Sequence, residues 1–207
     1  MSQILTVHPV TPEHHLLQVI VDSLRDGAVI AYPTDSGYAL GCMMGLKQPL
    51  ERICKIRNVD QTHNFTLICR DLSEIAKYAK VDNFSYRILK KCTPGGYTFI
   101  LNASSEVPKL MQSKRKTVGV RVPDHQIALS IAEALGEPLL SSTLILPGQT
   151  EPLIYPEDVG EQLGNQVDLV IDGGYCGFEP TTVVDLTGSQ PVVKRQGSGD
   201  SAVFLGE

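Results

Sequence analysis

A chain of 207 residues that is 42% hydrophobic and 20% charged has the composition of a folded globular protein, which excludes a disordered or fibrous one. Its net charge of −5 argues against indiscriminate nucleic-acid binding over the whole surface. The five cysteines, Cys42, Cys54, Cys69, Cys92 and Cys176, are odd in number, widely spaced and free of any Cys-x-x-Cys pair. That pattern speaks against a disulfide framework or a cysteine zinc site, and for a reduced, cytoplasmic setting.

The first residues carry no basic region followed by an apolar stretch, so no signal peptide is expected. No apolar run has the length to span a membrane. Thr11-Pro12-Glu13 reads as a helix start, followed by Leu17, Ile20, Val21 and Leu24 at helical spacing and stopped by Gly27. Ala28 to Tyr32 reads as a buried strand, Pro33 to Gly37 as a loop, and Leu50, Ile53 and Cys54 as one face of a second helix. Phe65 to Cys69 is a strand. Asp71-Leu72-Ser73-Glu74 resembles a capping box opening a helix through Tyr78. A helix near Phe84 to Lys90 is broken by Thr93-Pro94-Gly95-Gly96, and strands follow at Tyr97 to Leu101 and Val118 to Val122. Asp124 is read as the cap of a helix carrying Ile127, Ile131 and Leu135, stopped by Gly136. Leu139 to Ser142, Val167 to Ile171, Thr182 to Leu186 and Val192 to Lys194 are further strands, and Gln149 to Tyr155 a long surface loop.

Strands alternating with helices predict an α/β fold: a twisted, open, mixed sheet with flanking helices. The absence of repeats, linkers and composition shifts predicts one domain over residues 1–207, with its core at about 13–200.

Ligands of open α/β sheets sit at the carboxyl ends of strands. Pro33-Thr34-Asp35-Ser36-Gly37-Tyr38 stands at such an end, although these are also ordinary turn residues. Lys55 and Arg57 suit phosphate binding, or simply complement a helix dipole. Arg121 interrupts an apolar strand and must face solvent or a pocket, because lone burial costs several kcal/mol on common estimates of about that size. Arg195 raises the same question. Lys114-Arg115-Lys116 is read as a solvated loop. The five histidines have no metal-ligand spacing, and neither a Walker motif nor a Gly-x-Ser-x-Gly elbow occurs. Gly197-Ser198-Gly199 with Ala202 has dinucleotide-fingerprint spacing, but no room follows for the crossover helix.

Five motifs stand in one order. Pro33-Thr34-Asp35-Ser36-Gly37-Tyr38-Ala39-Leu40 resembles Pro-Thr-Asp-Thr-x-Tyr-Gly-Leu, and Lys55-Ile56-Arg57 resembles Lys-x-Arg. Val120 to Pro123, Thr181 to Asp185 and Lys194 to Gly197 resemble an Arg-x-Pro strand end, a Ser-Thr-hydrophobic-hydrophobic-Asp strand and a closing Arg-x-Gly. Together they are similar to the YrdC-like family of threonylcarbamoyl-AMP synthases. Asn64 to Leu67 and Cys69 to Leu72 look more like its YciO branch. The sequence departs from the synthases where Ser-Ala-Asn-x-Ser-Gly is expected: Thr143 keeps a hydroxyl, but Ile145 and Pro147 replace Asn and Ser. Asn58 replaces an expected Pro, and Ser36 and Ala39 are milder changes.

The resemblance implies nucleotidyl transfer linked to tRNA threonylcarbamoyladenosine modification, with ATP, L-threonine and bicarbonate as ligands and Mg²⁺ accompanying ATP. It implies Lys55, Arg57, Thr143 and Arg195 at the nucleotide and its phosphates. Thr34, Tyr38, Arg121, Ser141 and Thr181 fall at threonine, and His63 or Asn64 beside the pocket. It assigns no catalytic residue and no protein-held metal. The alternative it carries is a double-stranded RNA or tRNA-binding protein without synthase activity.

Overall fold

The computed structural model describes residues 2–60, 63–111 and 116–204. Along the chain these form β1 (Gln3–Thr6), α1 (His14–Arg25), β2 (Ile30–Thr34), β3 (Gly37–Met43), α2 (Lys47–Arg57), β4 (Thr66–Ile68), α3 (Leu72–Tyr78) and α4 (Asn83–Cys92). There follow β5 (Tyr97–Asn102), β6 (Thr117–Arg121), α5 (Gln126–Leu135), β7 (Leu139–Thr143), α6 (Pro156–Leu163), β8 (Leu169–Asp172), β9 (Thr182–Asp185) and β10 (Val192–Arg195). The strands join one open sheet in the order β1-β8-β2-β3-β7-β4-β6-β5-β9-β10. Parallel pairs such as β4 with β6 and β5 with β9 stand beside antiparallel ones such as β2 with β3 and β5 with β6. The sheet is therefore mixed, as expected.

Local chemistry explains most boundaries. The Asp71 carboxylate accepts from the Glu74 amide at 2.8 Å, and the Glu74 side chain accepts from the Arg70 amide at 2.8 Å. This reciprocal arrangement closes the first turn of α3. Asp82 caps α4 in the same way through the Ser85 amide. Two helix starts differ from the sequence reading. Glu13 rather than Thr11 precedes α1, because the Thr11 amide and hydroxyl are engaged with His8 Nδ1, each at 3.0 Å. His125 rather than Asp124 precedes α5. β1, β3 and α6 have no counterpart among the predicted elements. β3 reads Gly-Tyr-Ala-Leu-Gly-Cys-Met and is buried on both faces, so it lacks the alternation that marks a strand. β1 is an edge strand of four residues, and α6 lies directly behind a loop and begins with Pro156.

The pleat sends alternate residues to opposite faces. On one face Ile30, Tyr32, Ile68 and Leu139 pack with Ile20 and Leu24 of α1 and Ile131 of α5. Fully burying each such aliphatic side chain contributes roughly 1.5–3 kcal/mol. On the other face Leu40, Leu67, Phe99 and Val120 join residues of α2, α3, α4 and α6. The helix pair α1 and α5 lies over β2, β3 and β4. The remainder of that face, toward β10, carries the cleft described below.

The β2–β3 turn is tight: Thr34 pairs with Gly37, leaving only Asp35 and Ser36 between the strands. Gly37 has φ 104°, and a Cβ there would lie 2.6 Å from Pro152. Both facts require glycine. Gly37→Ala is expected to lower unfolding free energy by about 1–3 kcal/mol in urea melts. Wild-type stability would contradict this packing of the turn against the 152–153 segment.

Candidate functional site

The cleft has a volume of about 710 Å³ and is lined on one face of the sheet by every second residue of successive strands. β7 contributes Ser141 and Thr143, β4 contributes Thr66, and β6 contributes Gly119 and Arg121. β5 adds Thr98, and Thr181 and Arg195 stand at the β9 and β10 end. Thr34, at the end of β2, and Arg57, at the end of α2, complete the walls. Hydroxyl groups therefore predominate on a floor that elsewhere in the same sheet is aliphatic.

β2 and β6 are separated by three strands in the sheet. In a flat sheet they would stand about 19 Å apart at the usual spacing. Arg121 at the end of β6 nevertheless bonds to the β2–β3 turn. Its Nη1 donates to Ser36 Oγ at 2.7 Å, and its Nη2 donates to the Asp35 carboxylate. The sheet is thus curled, and this contact spans the curl. Arg121 is only 5% exposed and its Nε is buried without a hydrogen-bond partner among the described residues. The turn it meets is ordered from within. Thr34 Oγ1 donates to the Gly37 carbonyl at 2.7 Å and accepts from the Ser36 amide at 3.1 Å. Beneath the floor the Tyr32 hydroxyl shares a 2.6 Å bond with Ser141 Oγ. Burial pushes the Tyr32 phenol well above its ordinary value, so it stays protonated.

At the α2 wall, Arg57 donates from Nε to the Ile145 carbonyl at 2.9 Å and from Nη1 to Ser142 Oγ at 2.5 Å. Ser142 Oγ in turn lies 3.3 Å from His63 Nε2. Partly buried beside the Arg57 charge, the imidazole is favoured in its neutral form, and its tautomer sets which of the two atoms donates. His63 is held below its ordinary value by burial first and by the Arg57 charge second. At the opposite wall, Arg195 grips the Thr181 carbonyl from Nε at 3.1 Å and from Nη2 at 2.9 Å. Thr181 Oγ1 pairs with Thr98 Oγ1 at 2.8 Å.

Of the residues singled out in the sequence, Thr34, Arg57, His63, Asn64, Arg121, Ser141, Thr143, Thr181 and Arg195 line this one cleft. Lys55 is exposed on α2 and outside the lining. Tyr38 is fully buried on the other face of the sheet, where its hydroxyl donates to the Gly174 carbonyl at 3.1 Å. Ser36, Asp35 and Ser142 carry more of the site's architecture than sequence reasoning gave them. The first two stood inside the flagged turn, and Ser142 had no signal beyond its place in a strand. Lys114 and Arg115 lie outside the described residues, while Lys116 is exposed.

The lining contains three arginines and, among the described residues, neither Asp nor Glu. An acidic chain has thus built a cationic, hydroxyl-rich cleft suited to an anion. No group of three or more described His, Cys, Asp or Glu side chains is placed to hold a metal. No helix among the described residues is long and apolar enough to cross a membrane.

Comparison with known proteins fits this geometry. A Sua5/YciO/YrdC family model, described as telomere recombination, matches residues 22–197. The chain is 53% identical to the YciO protein of Escherichia coli (strain K12) over 99% of its own length and 100% of that protein's. The crystal structure of E. coli YciO superimposes with a TM-score of 0.94, covering 99% of this chain and 100% of that one. A threonylcarbamoyl-AMP synthase of Vibrio vulnificus (strain YJ016) is 33% identical over 76% of this chain and 86% of its own. P. abyssi Sua5 complexed with L-threonine is 26% identical with a TM-score of 0.86, over 95% of this chain and 58% of that one.

The Arg57–Ser142–His63 row gives a titration test. In NMR the His63 ring is expected to titrate below the ordinary 6.5. Arg57→Ala removes a positive neighbour and should move the midpoint upward. A midpoint above 6.5 in the unaltered protein would contradict the arrangement.

Proposed function

The chain belongs to the Sua5/YciO/YrdC family, and from that premise we propose that it binds L-threonine and ATP in the cleft and joins them, with bicarbonate, in a threonylcarbamoyl-AMP synthase-like reaction. The observation that carries this reading is Arg121. It is a buried guanidinium at the cleft wall, fixed on two nitrogens by Asp35 and Ser36, with a third nitrogen unmet. A buried unmet donor carries a cost that an arriving anion removes. A small carboxylate, flanked by the Thr34, Ser141 and Thr181 hydroxyls, suits that position.

The phosphates of ATP are assigned to the space between Arg57 and Arg195. Each guanidinium is anchored to a backbone carbonyl and so is held in place before the ligand arrives. Lys55 points about 200° around α2 from Arg57 and takes no part in this arrangement. The cleft's volume of about 710 Å³ lies in the range of small-molecule sites.

In the proposed reaction the amine nitrogen of threonine first attacks the carbon of bicarbonate, the C–OH bond breaks, and the hydroxide leaves with an amine proton as water, giving the carbamate. A carbamate oxygen then attacks the α-phosphorus of ATP. The new O–P bond forms as the bond to the bridging oxygen breaks, and pyrophosphate leaves with that electron pair. The arginines position the reactants and stabilise the charge that develops on the phosphoryl oxygens. Among the described residues the lining offers no carboxylate for Mg²⁺ and no group of side chains is placed to hold a metal. Any Mg²⁺ enters as part of the nucleotide, held by phosphates and water. At Ile145 the backbone carbonyl still holds Arg57, so that task survives the loss of a polar side chain.

The test is pyrophosphate release from ATP, with threonine and bicarbonate each omitted in turn and the product identified by mass. Release is expected to need both, and to fall by roughly 10- to 150-fold in Arg121→Lys, the loss of one or more charge-assisted hydrogen bonds. Folded protein that releases no pyrophosphate, or releases it without threonine, overturns the proposal.

A further inference from the structure

Two segments meet beside the β2–β3 turn and present a surface that the cleft chemistry does not use. The Cys176 amide donates to the Ile154 carbonyl at 3.2 Å, and the neighbouring rings of Tyr155 and Tyr175 lie 5.4 Å apart, tilted by 44°. Gly177 presses on the turn itself, since a Cβ there would fall 2.5 Å from the Asp35 carbonyl oxygen. Tyr155, Tyr175 and Phe178 are 48%, 57% and 53% exposed. Three open rings on two adjoining segments mark an interaction surface. The charge around them has one sign. Glu157 and Glu179 are exposed, and Asp172, partly buried, accepts from the Gly174 amide at 2.9 Å. The Tyr38 phenol, bonded to the Gly174 carbonyl, is pushed up first by burial, and the charges of Asp172 and Glu157 act on it in the same direction. Those two carboxylates therefore stand close to the segment that carries Tyr175. None of the three acids forms an ion pair with a described residue. Between Arg121 and Lys194 the sequence has no lysine or arginine.

We propose that this surface docks a cationic segment of another protein, with arginine side chains laid on the rings of Tyr155, Tyr175 and Phe178 and their charges met by Glu157, Asp172 and Glu179. A guanidinium is a flat cation that stacks on an aromatic face and pairs with carboxylates at its edge, so one side chain uses both features. Aromatic anchors inside a polar rim are also the usual anatomy of a protein interface. A polynucleotide or an anionic membrane would be repelled by the same carboxylates. A small organic cation needs a concave site that encloses it, whereas these rings stand about half exposed. The inference does not depend on the reaction assigned to the cleft.

The test is binding of a short fluorescein-labelled peptide of alternating arginine and glycine to the full chain, followed by anisotropy across a salt series. Affinity is expected to weaken as salt rises. Tyr155→Ala/Tyr175→Ala should lose about tenfold while keeping the wild-type salt response. Glu157→Gln/Glu179→Gln should also lose about tenfold, with a weaker salt response. Asp26→Asn/Glu133→Gln removes two exposed acids at the end of α1 and on α5; it controls for overall charge and should bind as the wild type does. All substituted side chains are exposed, so the variants should keep the wild-type circular dichroism. Absence of binding, wild-type affinity in the tyrosine variant, or an equal loss in the charge control overturns the proposal. Equal affinity for a lysine–glycine peptide would remove the rings from it, and equal affinity for N-acetylarginine amide would overturn the assignment to a protein segment.

Discussion

The bond from Arg121 to Asp35 and Ser36 is the constraint on which the cleft rests. It joins the end of β6 to the β2–β3 turn across three intervening strands. Twist alone curves a sheet, but it does not say where the curvature brings two strand ends together. A buried guanidinium needs partners, and Arg121 finds them in that carboxylate and hydroxyl. Once the contact is made, hydroxyls on alternate positions of β7, β4, β5 and the β9 end line one concavity. The glycine at position 37 belongs to the same logic, since its positive φ and its closeness to Pro152 permit the two-residue turn that carries Asp35 and Ser36.

The cleft owes its character to how its cations are tied down. Arg57 and Arg195 each hold a backbone carbonyl, and Arg121 holds a turn. Donors that are fixed before a ligand arrives need little reordering when it binds, which is how a small number of charges can favour one geometry of a reacting phosphate. The surrounding hydroxyls are mostly engaged with one another or with backbone, as in Tyr32 with Ser141 and Thr98 with Thr181. Such a network sets positions more than it adds charge. Ile145 stands in this wall where the synthase motif carries a polar side chain, and its backbone carbonyl holds Arg57.

Much of this was legible in the sequence, because helical stripes and short apolar runs report burial directly. The α/β class and mixed sheet follow from them. β3 was not legible, since burial on both faces and two glycines remove the alternation that marks a strand. Arg121 could be singled out because a charge inside an apolar strand demands a reason, and Thr34 because it stands at a strand end. The bond from Arg121 to Asp35 and Ser36 could not, since it depends on curl and register across strands distant in the chain. Tyr38 and Lys55 show the same limit. Tyr38 pairs with Pro33, one residue out of phase with the cleft face, and the pleat turns it to the other side. Lys55 stands two residues from Arg57, about 200° around the helix.

A crystal structure of the protein with L-threonine would test the central claim most directly. The account predicts the carboxylate of threonine within hydrogen-bond distance of the Arg121 guanidinium, beside Thr34 and Ser141, with the bonds from Arg121 to Asp35 and Ser36 intact. Threonine bound elsewhere, or an Arg121 that releases the turn to reach it, would contradict the account.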